Sequence, residues 1–190
     1  MKKIIFLSII FILLGVHMNL QAQNSDKKIL VAYFSCTGNT RSVALHITNA
    51  LKADIYEIQP SIPYTTADLN WRDSSSRSSR ENSSPSSRPE ISSVAVNMDQ
   101  YNIVFLGYPL WWGQAPKILY TFMEKYNFSG KTIVPFCTSG SSPIGSSATN
   151  LHGLTAASAT WLSGARFAAN ASRSSIVSWL NELKLGIAAE

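Results

Sequence analysis

The sequence predicts one α/β domain, a three-layer sandwich in which five parallel strands of order 2-1-3-4-5 carry helices on both faces. Three observations lead there. Short stretches that read as strands recur at residues 29–34, 54–58, 103–106, 132–137 and 160–162, the first of them a continuous apolar, partly β-branched run. Segments with apolar residues at helical spacing lie between them, the alternation expected of β-α-β units. The chain has 190 residues, close to half of them apolar and few charged, which suits a single buried core.

The N-terminus comes first and stands apart. Met1-Lys2-Lys3 precedes an apolar run at 4–16 and a small residue at Ala22, which is the grammar of a secretory signal peptide. The run is shorter than the ~17 to 25 residues a spanning helix needs. A signal peptide over 1–22 and a mature domain over 23–190 are therefore expected, with export to the bacterial periplasm and no stable membrane insertion after cleavage. Loss of Lys2 and Lys3 lowers the formal charge from +5 to +3. No Lys/Arg run interleaved with aromatics accompanies it, so nucleic acid is not an expected partner.

Residues 29–34 form a continuous apolar run, as for a strand buried on both faces. Val43, Ala44, Ile47 and Leu51 then repeat at helical spacing. A second strand at 54–58 closes at Pro60. Residues 61–94 form a long polar stretch whose middle, 73–87, is dominated by Ser; it is expected to be a solvated insertion or loop. The third strand, 103–106, leads into turn-rich 107–116. Ile118, Leu119, Phe122, Met123 and Tyr126 mark an amphipathic helix. The fourth strand, 132–137, contains Pro135, which lacks a ladder donor and predicts a bulge or strand end. A polar loop at 138–147, a helix around 148–157, a short strand at 160–162 and a helix at 172–183 complete the chain. His17, His46 and His152 are scattered, with no metal-ligand spacing, and no metal site is expected.

In such a sheet ligands bind beyond the carboxyl ends of the strands, at the topological switch point. Three polar or Gly-rich loops fall there. In the first, Ser35, Thr37 and Thr40 offer hydroxyls to an anion. Gly38 and Asn39 tolerate the left-handed backbone that turns successive amides inward. The helix start adds unpaired N–H groups and its dipole. In the second, Pro109, Leu110, Trp111, Trp112 and Gly113 offer aromatic surface and exposed backbone, suited to a flat ring with a polar edge. In the third, Thr138, Ser139, Gly140 and Ser141 offer hydroxyls and amides. Each is compatible with an ordinary turn, with Thr40 as a helix cap and one Trp in the core; their convergence on one edge is the informative feature.

The run from Ile29 to Thr40 resembles the FMN phosphate signature of the flavodoxin family. Tyr108-Pro-Leu-Trp-Trp-Gly-Gln-Ala-Pro116 and Pro135-Phe-Cys-Thr-Ser-Gly-Ser-Ser142 resemble the two ring-flanking loops of one branch of it. Asp68-Leu69-Asn70-Trp71 and Arg88-Pro89 match further elements of that branch, while the Ser density between them departs from it. The resemblance implies a flavodoxin-like fold and non-covalently bound FMN. It implies electron transfer to a redox partner protein or a small acceptor such as a quinone, with no catalytic side chain beyond the flavin. Carrier members of the family are acidic; this mildly basic chain predicts a less negative potential. An NAD(P)H-dependent FMN quinone reductase is the alternative, although no nicotinamide fingerprint occurs.

A second alternative starts from Cys36. Cys36-Thr-Gly-Asn-Thr-Arg41-Ser42 resembles the phosphate cradle of low-molecular-weight tyrosine phosphatases, in which a thiolate attacks phosphorus. Here four residues, not five, separate Cys from Arg, and no Asp-Pro supplies the acid. Cys36 and Cys137 end the first and fourth strands with the third between them. At ~4.8 Å per strand they start about 10 Å apart, beyond disulfide reach, and both are expected to be free.

Overall fold

The central strands are apolar on both faces because both faces are covered. The computed structural model describes residues 27–187 and 189, and the leader expected at 1–22 lies outside the described residues. Strands β1 (Ile29–Tyr33), β2 (Asp54–Glu57), β3 (Ile103–Pro109), β4 (Thr132–Thr138) and β5 (Thr160–Trp161) form one parallel sheet of order β2-β1-β3-β4-β5. A further strand, β6 (Ala165–Phe167), pairs with β4. The expected order 2-1-3-4-5 is therefore present, with its last position split in two.

Alternation along β1 divides the core. Ile29, Val31 and Tyr33 face helices α1 (Asn39–Leu51) and α4 (Arg173–Glu182), packing with Val43, Ala44, Ile47, Ile176 and Leu180. Leu30, Ala32 and Phe34 face the opposite layer, with Ile118, Leu119, Phe122 and Met123 of helix α3 (Lys117–Lys125). Full burial of each such Val, Leu, Ile or Phe contributes ~1.5–3 kcal/mol. Helix α4 is started by Ser172, whose side chain accepts from the Ser175 N–H. The helix expected at 148–157 is a 3-10 helix over Thr149–Leu154 instead, with Leu151 its one buried side chain. Gly153 and the β-branched Thr149 weaken an α-helix there.

Pro135 sits mid-strand without ending β4. Lys131 and Ile133 accept bonds from Thr160 and Leu162 of the edge, so odd-numbered residues of β4 turn their backbone outward, and Pro135 with them. The register shifts at that point: Ile133 pairs with Trp161, but Phe136 pairs with Ala165. The bulge expected from Pro135 thus lies in the partner, as the extra residue separating β5 from β6. Gly164 belongs to it for a steric reason. A Cβ there would stand 2.7 Å from the Pro135 carbonyl oxygen and 2.8 Å from its ring.

Two strands run further than expected. β3 continues through Gly107 and Tyr108 to Pro109, and β4 through Thr138, with Pro109 opposite Thr138. Gly107 looks like a turn in sequence; it is a strand glycine over which the Phe136 ring lies, 2.2 Å from where a Cβ would be. This extension carries the second and third loops to the same height on the sheet edge.

Residues 61–94 are not simply a solvated loop. They contain helix α2 (Arg77–Ser83), with Ser76, Ser78 and Ser79 buried. Ser76 and Ser79 can be buried because their hydroxyls bond each other, which composition alone conceals.

Candidate functional site

The first loop leaves β1 at Phe34, whose N–H donates to the Gly107 carbonyl. Gly38 then takes φ +86° and precedes α1; its N–H donates to Ser35 Oγ at 3.1 Å. No side chain caps the helix, so the N–H groups of its first turn are left for another acceptor. Thr37 and Asn39 are exposed beside them. Thr40 differs: it is buried, and its hydroxyl lies 2.8 Å from that of Thr138. That bond ties the first loop to the third.

The second loop is a tight hairpin. Trp111 and Gln114 exchange both backbone bonds, at 3.0 and 2.8 Å. Trp112 and Gly113 between them have φ of +48° and +73°, the pattern of a type I′ turn. Trp112 holds a conformation that bulky residues rarely adopt. The two tryptophans divide their work. Trp111 packs edge-on against Phe34 and Tyr64, ring centres 5.6 and 5.5 Å away, while Trp112 remains 42% exposed.

The third loop is fixed from β6. Arg166 donates through Nε to Ser139 Oγ at 3.0 Å and through Nη2 to the carbonyls of Ser139 and Gly140. The Leu110 N–H donates to the Thr138 carbonyl, joining second and third loops. Gly140 and Ser141 are exposed at the tip.

Residues 61–94 form the facing wall. Asp68 accepts from the Thr65 N–H and hydroxyl, which holds its carboxyl below the usual aspartate range. The Tyr64 hydroxyl donates to Glu81, and Arg77 donates to the same carboxylate at 2.7 Å while lying 4.0 Å over the Tyr64 ring. Arg88 binds Glu124 of α3 through two nitrogens, at 2.7 and 2.8 Å. Between this wall and the sheet edge lies a cleft of about 430 Å³, a size that suits a small cofactor or part of one. The sheet contributes Cys36, Thr37 and the stretch Pro109, Leu110, Trp111 and Trp112; the wall contributes Leu69, Trp71 and Ser78.

Protonation states favour binding over nucleophilic chemistry. Burial pushes the Cys36 thiol up to about 12, partly opposed by Arg77. A nucleophilic cysteine needs the reverse shift, which counts against the phosphatase reading of Cys36. Burial likewise raises the Cys137 thiol to about 12. Both cysteines are free, as expected.

The candidate residues thus fall into three groups. Thr37, Pro109, Leu110, Trp111 and Trp112 line the cleft. Ser35, Gly38, Asn39 and Thr40 shape the helix start beside it, and Gly113 the turn. Thr138, Ser139, Gly140 and Ser141 adjoin this edge without lining the cleft. Leu69, Ser78 and Arg166 were not among the candidates. Leu69 and Trp71 belong to the Asp-Leu-Asn-Trp element; Arg166 lies on a strand too short for a periodic signal.

A sequence profile of the family described as Flavodoxin matches residues 28–183. No curated protein matches the chain significantly. Among solved structures, a protein from Bacteroides eggerthii, named only provisionally as a flavoprotein, is 44% identical. It superposes with a TM-score of 0.77, covering 83% of this chain and 98% of its own. A second so named, from Bacteroides uniformis, is 41% identical, with a TM-score of 0.77 and coverage of 82% and 98%. A Lactobacillus acidophilus flavoprotein solved in complex with FMN shares the fold at 20% identity, with a TM-score of 0.63 and coverage of 83% and 98%.

Proposed function

Because the chain belongs to the flavodoxin family, we propose that it binds FMN non-covalently at this edge and transfers electrons through it. The observation that carries the proposal is the side-by-side placement of an uncapped helix start and an aromatic cleft, with Thr37 of the first loop lining that cleft beside Trp111 and Trp112. That is what a molecule with an anionic end and a planar end requires. The residues fit the group: the first-turn amides of α1, with Ser35 and Thr37, would hold the phosphate. Trp111, Trp112 and Trp71 would flank the ring, aromatic contact being worth ~0.5–1.5 kcal/mol beyond buried area. The exposed amides of the third loop would serve the polar edge or the ribityl chain.

Bound FMN supplies the redox chemistry, and the chain's groups tune it. The chain itself positions the ring, excludes water from its inner face and sets the local charge. Its partner would be a redox protein or a small acceptor such as a quinone. Reduction by NAD(P)H with quinone as acceptor is the second reading. It is favoured by the Arg72 guanidinium, 4.9 Å over the ring of Trp71, which is 65% exposed at the cleft mouth, a cation beside the site that an anionic nicotinamide dinucleotide could use. Export to the periplasm, from the N-terminal pattern, is part of the proposal; the mature N-terminus near residue 23 checks it by mass spectrometry.

The deciding experiment is reconstitution of purified protein with FMN, followed by anaerobic mixing with NADH or NADPH. Electron transfer without nicotinamide oxidation supports the carrier. Rapid bleaching with quinone turnover moves the assignment to reductase.

A further inference from the structure

One buried hydroxyl in the wall is left without a partner. Ser78 is 2% exposed, and its Oγ makes no hydrogen bond. Its neighbours in the serine run behave otherwise: the Ser76 hydroxyl donates to Ser79 Oγ at 2.9 Å and accepts from the Ser79 N–H. Buried polar groups are nearly always paired, because an unpaired one has lost its water for nothing. Two other buried side-chain hydroxyls among the described residues lack partners, those of Thr48 and Thr121, and neither residue lines the cleft. Ser78 does. It alone combines an unmet hydrogen bond with a position on the ligand wall.

The surroundings narrow what would meet it. The cleft is mainly apolar and aromatic around Ser78, with Leu69, Trp71 and Trp111 on its walls. Arg77, the cation beside Ser78, is already paired with Glu81 and offers a phosphate little, whereas a flat heteroaromatic ring with nitrogen and carbonyl positions at its edge suits both the apolar walls and a single hydroxyl. A serine χ1 has three staggered positions, among which the hydroxyl can reorient to meet a ligand in the cleft that Ser78 lines. Helix α2 is held for this role: Arg77 and Glu81 pair beside Ser78, and the Ser78 N–H donates to the Asp68 carbonyl at 3.0 Å.

We propose that Ser78 is a ring-binding residue, its hydroxyl completing a hydrogen bond with the polar edge of the flavin ring. The serine-rich segment is then part of the cofactor site. This rests on the FMN reading above, and its test separates the two. Wild type, Ser78→Ala and Ser79→Ala are titrated with FMN and with lumiflavin, which has the ring but neither ribityl chain nor phosphate. Thermal melts of the apo forms are recorded alongside.

Ser78→Ala should weaken both ligands by the same factor, about three- to tenfold. It should leave the apo melting temperature unchanged or raised, since it removes an unsatisfied buried group. Ser79→Ala should leave both affinities unchanged. A purely structural role for Ser78 would instead lower stability and affinity together. Unchanged binding of both flavins by Ser78→Ala, or equal weakening by Ser79→Ala, overturns the assignment. Wild-type protein that binds neither flavin overturns the FMN reading itself, and this assignment with it.

Discussion

The two sides of the cleft are built on opposite plans. The sheet side hangs from paired strands: Phe34, Leu110 and Thr138 are tied across β1, β3 and β4 by backbone bonds, and Thr40 and Thr138 by their hydroxyls. What it leaves over are the unbonded amides at the start of α1. The wall formed by residues 61–94 has one backbone bond to the chain beside the strands, from the Ser92 N–H to the Gln59 carbonyl, within an isolated Pro60–Ile91 bridge. It is held by side chains, with the Tyr64–Glu81–Arg77 group inside and Arg88–Glu124 at its end. A backbone-fixed edge offers donors in a fixed place and suits an anion. A side-chain-fixed wall offers shape and aromatic surface, which sequence can vary without disturbing the sheet.

The largest effect that should separate the two sides is Tyr64→Ala. It removes a ring packed on Phe34 and Trp111 and the hydroxyl donor to Glu81. The expected loss is about 3 kcal/mol, concentrated in the wall. Hydrogen exchange should show protection lost over 61–94 while β1, β3 and β4 keep theirs. Loss of protection in both regions would mean that the wall is not an independent unit.

Thr40→Val tests the sheet side. It keeps the shape and leaves the Thr138 hydroxyl buried without its partner, at a cost of about 1–3 kcal/mol. Denaturant melts should show that loss, and FMN binding should weaken more than lumiflavin binding, because the helix start shifts and the ring wall does not. Equal weakening would erase the division between an anion end and a ring end.

The smallest effect belongs to Trp112→Asn. It places Asn-Gly at the turn where Trp-Gly now has two positive φ angles, the preferred type I′ pair. The apo protein should gain a few tenths of a kcal/mol to about 1 kcal/mol, while flavin affinity falls through the lost aromatic face. Calorimetry and titration should therefore move in opposite directions; a tighter-binding Asn variant would show that Trp112 plays no part in holding the ring.

The same contrast governs what was legible in the sequence. The sheet, its order and the three loops follow from apolar runs and the glycines and hydroxyls at their ends, so Ser35 to Thr40 and the Trp-Trp-Gly turn stand out unaided. Pro135 signalled a bulge, but its partner strand had too few residues to be seen, and Arg166 was lost with it. The buried serines of α2 were illegible for a different reason. Ser76 and Ser79 satisfy each other three residues apart, and composition reads such a run as solvated. Leu69 and Ser78 acquire a role only once Arg77, Glu81 and Tyr64 fix where α2 lies.

The most direct test is titration of FMN into the purified protein, followed by flavin fluorescence and the visible spectrum, with riboflavin in parallel. Saturable one-to-one quenching with a perturbed flavin band, and FMN held more tightly than riboflavin, is the predicted result. Absence of binding, or indifference to the phosphate, would contradict the account.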